Sequence, residues 1–143
     1  MAQKYSEENV INGSWAEMWI DGELVGNVIG LQAKVSLKTA EVHMCKSLAK
    51  HTKVVGYEGK GTLKLNKVDS MFIKLMSENM KKGKQTKCTL ISKLADPDAL
   101  GVERICLKEC VFEELTLANW EAKKNGQESI PFSFADWEPL DVI

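Results

Sequence analysis

Apolar and polar residues alternate most regularly over residues 28–39, where Ile29, Leu31, Ala33, Val35 and Leu37 interleave with Gly30, Gln32, Lys34, Ser36 and Lys38. A period of two sends successive side chains to opposite faces of a strand. The segment therefore predicts a strand with one face in a core and the other in a polar setting. At about 3.3 Å per residue it spans roughly 35–40 Å, long for a small domain. Residues 14–20 predict an earlier strand, with Trp15 and Trp19 on one face and Ala16, Met18 and Ile20 on the other, so that both faces are expected to be covered. Asp21-Gly22 is a tight-turn dipeptide that starts the return over residues 23–25. Further strands are expected at 62–68, 86–94, 103–111 (with 112–118 continuing or pairing with it) and 130–134. Pro131 belongs at the start of the last one or on an edge. Residues 69–82 predict a helix: Asp69 or Ser70 can cap it, Phe72, Leu75, Met76 and Met80 form one apolar stripe, and Gly83 suits the left-handed position after it. The stripe reads as a lid over a sheet.

Two segments carry no period. Residues 1–13 read as an extended polar arm. Residues 41–59 read as a long loop that holds Val42, Met44, Leu48, Val54, Val55 and Tyr57, more apolar content than a solvated connection needs. About seven strands and one helix sum to a mainly β fold, an antiparallel β-sandwich or barrel with one packed α-helix.

Composition narrows the function. The 143 residues suit one domain, 1–143, and 44% hydrophobic with 27% charged residues is ordinary for a globular chain. Nineteen cations nearly cancel 20 acids, and Arg104 is the only arginine. Because bidentate base and phosphate contacts favour arginine, a sequence-specific nucleic-acid reader is not expected. No apolar run reaches the 18 residues of a membrane helix, and the polar opening is not that of a secretory leader. Cys45, Cys88, Cys106 and Cys110 form no CxxC pair and read as reduced, structural thiols.

Candidate chemistry is sparse. His43 and His51 lie eight apart with no acidic partner in register, a poor metal pair. The glycine-rich run Gly56-Tyr57-Glu58-Gly59-Lys60-Gly61 lacks phosphate-loop spacing and precedes a strand. Glu109, Glu113 and Glu114 read as a solvated face. No catalytic, cofactor or metal site is expected. What stands out is a long two-faced strand beside an apolar loop and an arm, features of little use to a small monomer and of clear use to a subunit of an assembly.

In order along the chain, Asn12-Gly13, Trp19-Ile20-Asp21-Gly22-Glu23, Glu41-Val42, Gly59-Lys60-Gly61-Thr62, Lys67-Val68-Asp69-Ser70-Met71-Phe72, Lys81-Lys82-Gly83, Gly101-Val102-Glu103-Arg104-Ile105 and the closing Ile130-Pro131-Phe132-Ser133-Phe134-Ala135-Asp136-Trp137 resemble the tail-tube proteins of PBSX-like prophages and of R-type contractile bacteriocins such as diffocin. The resemblance implies a subunit of hexameric rings that stack into a hollow tube inside a contractile sheath, assembled in the bacterial cytoplasm and carried in a phage tail or bacteriocin particle. Its implied partners are further copies of itself, sheath and baseplate proteins, and DNA only as transient cargo. On that reading Val42, Met44, Leu48, Val54, Val55 and Tyr57 of the loop, with Val10 and Ile11 of the arm, are the expected subunit contacts. Lys34, Ser36 and Lys38 are candidates for the lumen. Lysines there would hold a DNA cargo unless nearby acids offset them, the face meets a neighbour, or no DNA passes. A secretion-system tube carrying effectors, or a monomeric barrel around a small apolar ligand, would share much of the pattern.

Overall fold

The computed structural model describes residues 5–143. Eight strands and one helix follow in the order β1 (Ala16–Ile20), β2 (Glu23–Leu24), β3 (Val28–Val42), β4 (His51–Asn66), α1 (Met71–Lys81), β5 (Lys87–Leu94), β6 (Glu103–Phe112), β7 (Gln127–Phe134) and β8 (Asp136–Asp141). All pair antiparallel in one sheet of order β2-β1-β5-β6-β7-β4-β3, with β8 also on β6. The sheet is open: its terminal strands β2 and β3 do not pair, so the expected sandwich or barrel is not a closed barrel.

Local chemistry accounts for the elements. Asp21 and Gly22 both have positive φ (50° and 87°), as a two-residue hairpin turn matching the twist of its strands requires. Asp21 also accepts a hydrogen bond from the Thr89 amide at 2.9 Å, which ties the turn to β5. Asp69, not Ser70, holds the start of α1, accepting from the Met71 amide at 3.2 Å. At the other end Gly83 has φ +70°, its amide donates to the Met80 carbonyl, and the Lys84 amide donates to that of Asn79, a Schellman closure. Phe72 and Met76 are buried against the sheet while Met80 is exposed, so α1 covers the core as its stripe predicts.

The core gathers Met18, Ile20, Leu63, Leu65, Leu90, Phe112, Ile130, Phe132 and Phe134 under α1. Phe72 meets Phe112 edge to face at 5.1 Å. Cys88 lies directly opposite Cys110 in the β5–β6 ladder, both buried as free thiols. Burial raises the Cys88 thiol to about 11 and the Cys110 thiol to about 12. These groups keep their protons in the folded protein at a pH where the unfolded chain has lost them, so their contribution to stability is full below pH 9. It falls as pH rises toward 12. In native protein at pH 8, Cys45 alone is expected to label quickly with maleimide, against four thiols in denaturant; rapid labelling of two or more native thiols would contradict this packing.

Several expectations change. Residues 41–59 are not an unstructured loop: β3 runs to Val42, β4 begins at His51, and only residues 43–50 connect them. The β3 alternation does not bury one whole face, since beyond Leu31 every β3 residue is exposed. Trp15 is exposed in a 3-10 turn that precedes β1, and within β1 Met18 and Ile20 are buried on one face while Trp19 is half-buried on the other, so the second face is covered only in part. The described part of the arm forms 3-10 turns at Glu7–Asn9 and Gly13–Trp15 and is tethered, the Asn12 amide donating to Asp96 at 2.8 Å. Residues 113–118 leave the sheet. Pro131 sits inside β7, but its carbonyl accepts from the Glu113 amide, so its missing N–H lies on the side where β6 has just ended.

Candidate assembly surface

The β3–β4 ladder is far longer than the sheet that carries it. β4 pairs with β7 only from Gly59 to Asn66. Beyond that, residues 36–42 and 51–58 have only each other, and the hairpin projects by about 20–25 Å at 3.3 Å per residue. Its connection places Met44, Cys45 and Leu48 in solvent at the tip. The outer edge of β3 pairs with no strand among the described residues.

Glycine fixes where the hairpin leaves the core. A Cβ on Gly59 would stand 2.6 Å from the Phe134 ring, and one on Gly61 would meet the Phe132 ring and the Gln32 carbonyl. Phe132 and Phe134 thus pack over bare backbone at the root of the hairpin. From there the two faces diverge. Leu31, Ala33, Val35 and Leu37 share one face with Leu63, Gly61, Gly59 and Tyr57 across the ladder, and on β3 this face turns from core to solvent after Leu31. Tyr57 is only half free: its ring meets Trp137 edge to face at 5.3 Å and its hydroxyl donates to the Ala135 carbonyl.

The other face is polar. Gln32, Lys34, Ser36 and Lys38 stand opposite Thr62, Lys60, Glu58 and Gly56. Glu58 lies between Lys38 at 3.6 Å and Lys60 at 3.3 Å. The Lys60 hydrogen bond first, and the Lys38 charge next, hold its carboxyl below the usual carboxylate range. Glu113 borders the same shallow depression of about 310 Å³. Lys38 and Lys60 therefore share one acid, Glu58, which lies in the segment that reads as a loop from sequence.

The remaining expected contacts scatter. Val42, Val54 and Val55 are exposed on the outer hairpin, Met44 and Leu48 at its tip, and Val10 and Ile11 on the tethered arm by the 95–101 connection. Val55 is the extra residue of a bulge, since Lys38 pairs with Gly56 and Thr39 with Val54. Among the described residues no three His, Cys, Asp or Glu side chains group as a metal site, and no helix is long and apolar enough to cross a membrane.

This fold is shared with solved components of contractile injection systems, among them a tube-terminating cap and a chain of a sheath-tube complex. The profile of the phage tail tube protein family matches residues 3–141, and the chain belongs to that family. It is 29% identical over 133 residues to the Phage-like element PBSX protein XkdM of Bacillus subtilis strain 168, covering 92% of this chain and 90% of that one. In fold it matches the anti-feeding prophage cap, with a TM-score of 0.75 at 12% identity over 99% of this chain and 95% of the other. A subunit of the extended PVC sheath-tube complex, an extracellular contractile injection system, matches with a TM-score of 0.69 at 12% identity over 99% and 100%. The protein is a phage tail component whose family and fold are structural.

Proposed function

We propose that the chain is the self-assembling subunit of the inner tube of a contractile phage-like tail, forming stacked hexameric rings around a lumen. The observation that carries this reading is the projecting hairpin, on which Val35, Leu37, Val42, Val54 and Val55 stay exposed among the described residues. Total surface agrees with it. The chain exposes 10,648 Å², whereas a folded monomer of 16.0 kDa exposes about 7,400 Å². The excess of about 3,200 Å² is what contacts with several neighbours of standard size would cover. In a ring the outer edge of β3 gains a strand from the next copy, which removes the aggregation hazard of a long free edge. Lys34, Ser36 and Lys38, interleaved with Glu58 and Lys60, then line the lumen. Their acids keep that wall from being a continuous cationic track, as suits a conduit that must release a polyanion.

Electron microscopy of the purified protein over a concentration series is expected to show rings or hollow tubes above a threshold concentration, with sizing reporting monomer below it. A strict monomer at every concentration, even with sheath and baseplate proteins added, would overturn the reading.

A further inference from the structure

The open seam of the sheet forms a cleft of about 790 Å³ between β1–β2 on one side and the first residues of β3 on the other. Met18, Leu24, Val28, Ile29, Leu31 and Leu94 line it, with Leu24 and Ile29 exposed. β3 starts in this cleft and runs to the hairpin tip, so cleft and tip are opposite ends of one ladder, about 45 Å apart at 3.3 Å per residue. The chain segments that form the two ends differ in charge, although Lys93 stands opposite Glu17 in the β1–β5 ladder and Lys64 lies beside Gly30. Residues 5–33 contain Glu7, Glu8, Glu17, Asp21 and Glu23 and no lysine or arginine. Residues 42–57 contain Lys46, Lys50 and Lys53, with His43 and His51, and no acid. Glu17 lines the cleft, and Glu23 is exposed beside it. The tip presents Met44 and Leu48 to solvent among its lysines.

The geometry points to one occupant for the seam cleft: the 43–50 tip of a second copy, with Met44 and Leu48 seated among Leu24, Ile29 and Leu94, and with Lys46 and Lys50 against Glu17 and Glu23. The contact is heterologous, because a tip cannot reach the cleft of its own chain at the far end of a rigid ladder. Repeated, it either closes a ring or grows a filament. This assigns the receptor for the hairpin tip and rests on the tube reading above.

A charge-reversal pair tests it. Lys46→Glu with Lys50→Glu reverses the tip, and Glu17→Lys with Glu23→Lys reverses the cleft. All four positions are exposed, so both variants are expected to fold as the parent does. Each alone is expected to lose assembly by at least about tenfold at low salt, since like charges now face each other. Mixed in equal amounts they are expected to assemble to within about threefold of the parent, because each tip then finds an opposite cleft. A mixture no better than either variant alone, or variants that each assemble like the parent, overturns the proposal. A second measurement is independent of charge and of tube yield: with Leu24→Cys, a short bismaleimide should link the new thiol to Cys45 of another copy, and no link above the Leu24→Cys, Cys45→Ser background overturns the contact. Normal tubes without the link retire the contact and leave the tube reading standing. Linked oligomers that never enclose a lumen keep the contact and retire the tube reading.

Discussion

Val54→Asp together with Val55→Asp is expected to give a folded protein that does not lengthen tubes. Both side chains stand on the outer hairpin, 53% and 64% exposed, where the ladder has left the β7-backed sheet. Substitutions at such positions ordinarily shift stability by about 0.5 kcal/mol, and aspartate in a strand adds a propensity cost of up to about 1 kcal/mol. The melting midpoint should therefore move by only a few degrees. Assembly answers to a different quantity. A carboxylate forced into a contact without a partner costs about 3–5 kcal/mol. At 1.4 kcal/mol per tenfold, the threshold concentration for tubes should rise by at least about 100-fold. Val54→Thr with Val55→Thr, which keeps the shape and adds hydroxyls, should fall between the parent and the aspartate variant. Sedimentation and negative-stain images of the three proteins at matched concentration make the comparison. Tubes of normal length from the aspartate variant would take the hairpin's outer face out of the interface.

The same bulge explains why this hairpin was hard to read from sequence. Strand prediction relies on an unbroken period of two, and Val55 inserts one residue between Val54 and Gly56, so the pattern on either side is out of phase. Residues 51–57 also lack the burial contrast that makes a strand legible, because most of them are exposed whichever face they stand on. β8 was missed for a related reason: all six of its residues are exposed, and Pro139 interrupts its pattern. By contrast, α1, the Asp21-Gly22 turn and the buried strands announced themselves, since each faces the chain's own core or obeys a local backbone rule. β3 stands between these cases. Its alternation was plain, but beyond Leu31 its residues are exposed, so the alternation there does not mark this chain's own core. Elements that face the chain's own core are written in its periodicity, whereas elements that stay exposed are not. Charge segregation between residues 5–33 and 42–57 was available in the sequence throughout and gained meaning only when the ladder set the two segments at opposite ends.

The largest effect on the fold itself is expected at the root of the hairpin, from Gly61→Val. Gly61 is paired on both sides, with Ala33 in β3 and Phe132 in β7, so the backbone cannot shift without disturbing two ladders. Its φ is not in the left-handed region, so the obstacle is space rather than conformation. A Cβ there meets the Phe132 ring, one of the largest fully buried side chains, and the Gln32 carbonyl, which cannot swing away as a side-chain end can. Overpacking of this kind costs about 1–3 kcal/mol, and with backbone as one of the opposing atoms the upper end is expected. For a marginally stable domain, about 3 kcal/mol is a large part of the total. Urea denaturation should show the midpoint falling with little change in slope. Adding Phe132→Leu removes the ring contact and leaves the carbonyl, so the double variant should be less destabilised than the two single effects added together. Gly56→Ala provides the contrast. Nothing lies within 4 Å of its Cβ position on the free hairpin, and its effect should be neutral or slightly stabilising, since alanine has fewer unfolded conformations to lose. If Gly61→Val melted like Gly56→Ala, the glycines would not be what lets Phe132 and Phe134 close over the ladder, and some other feature would have to set where the hairpin departs from the core.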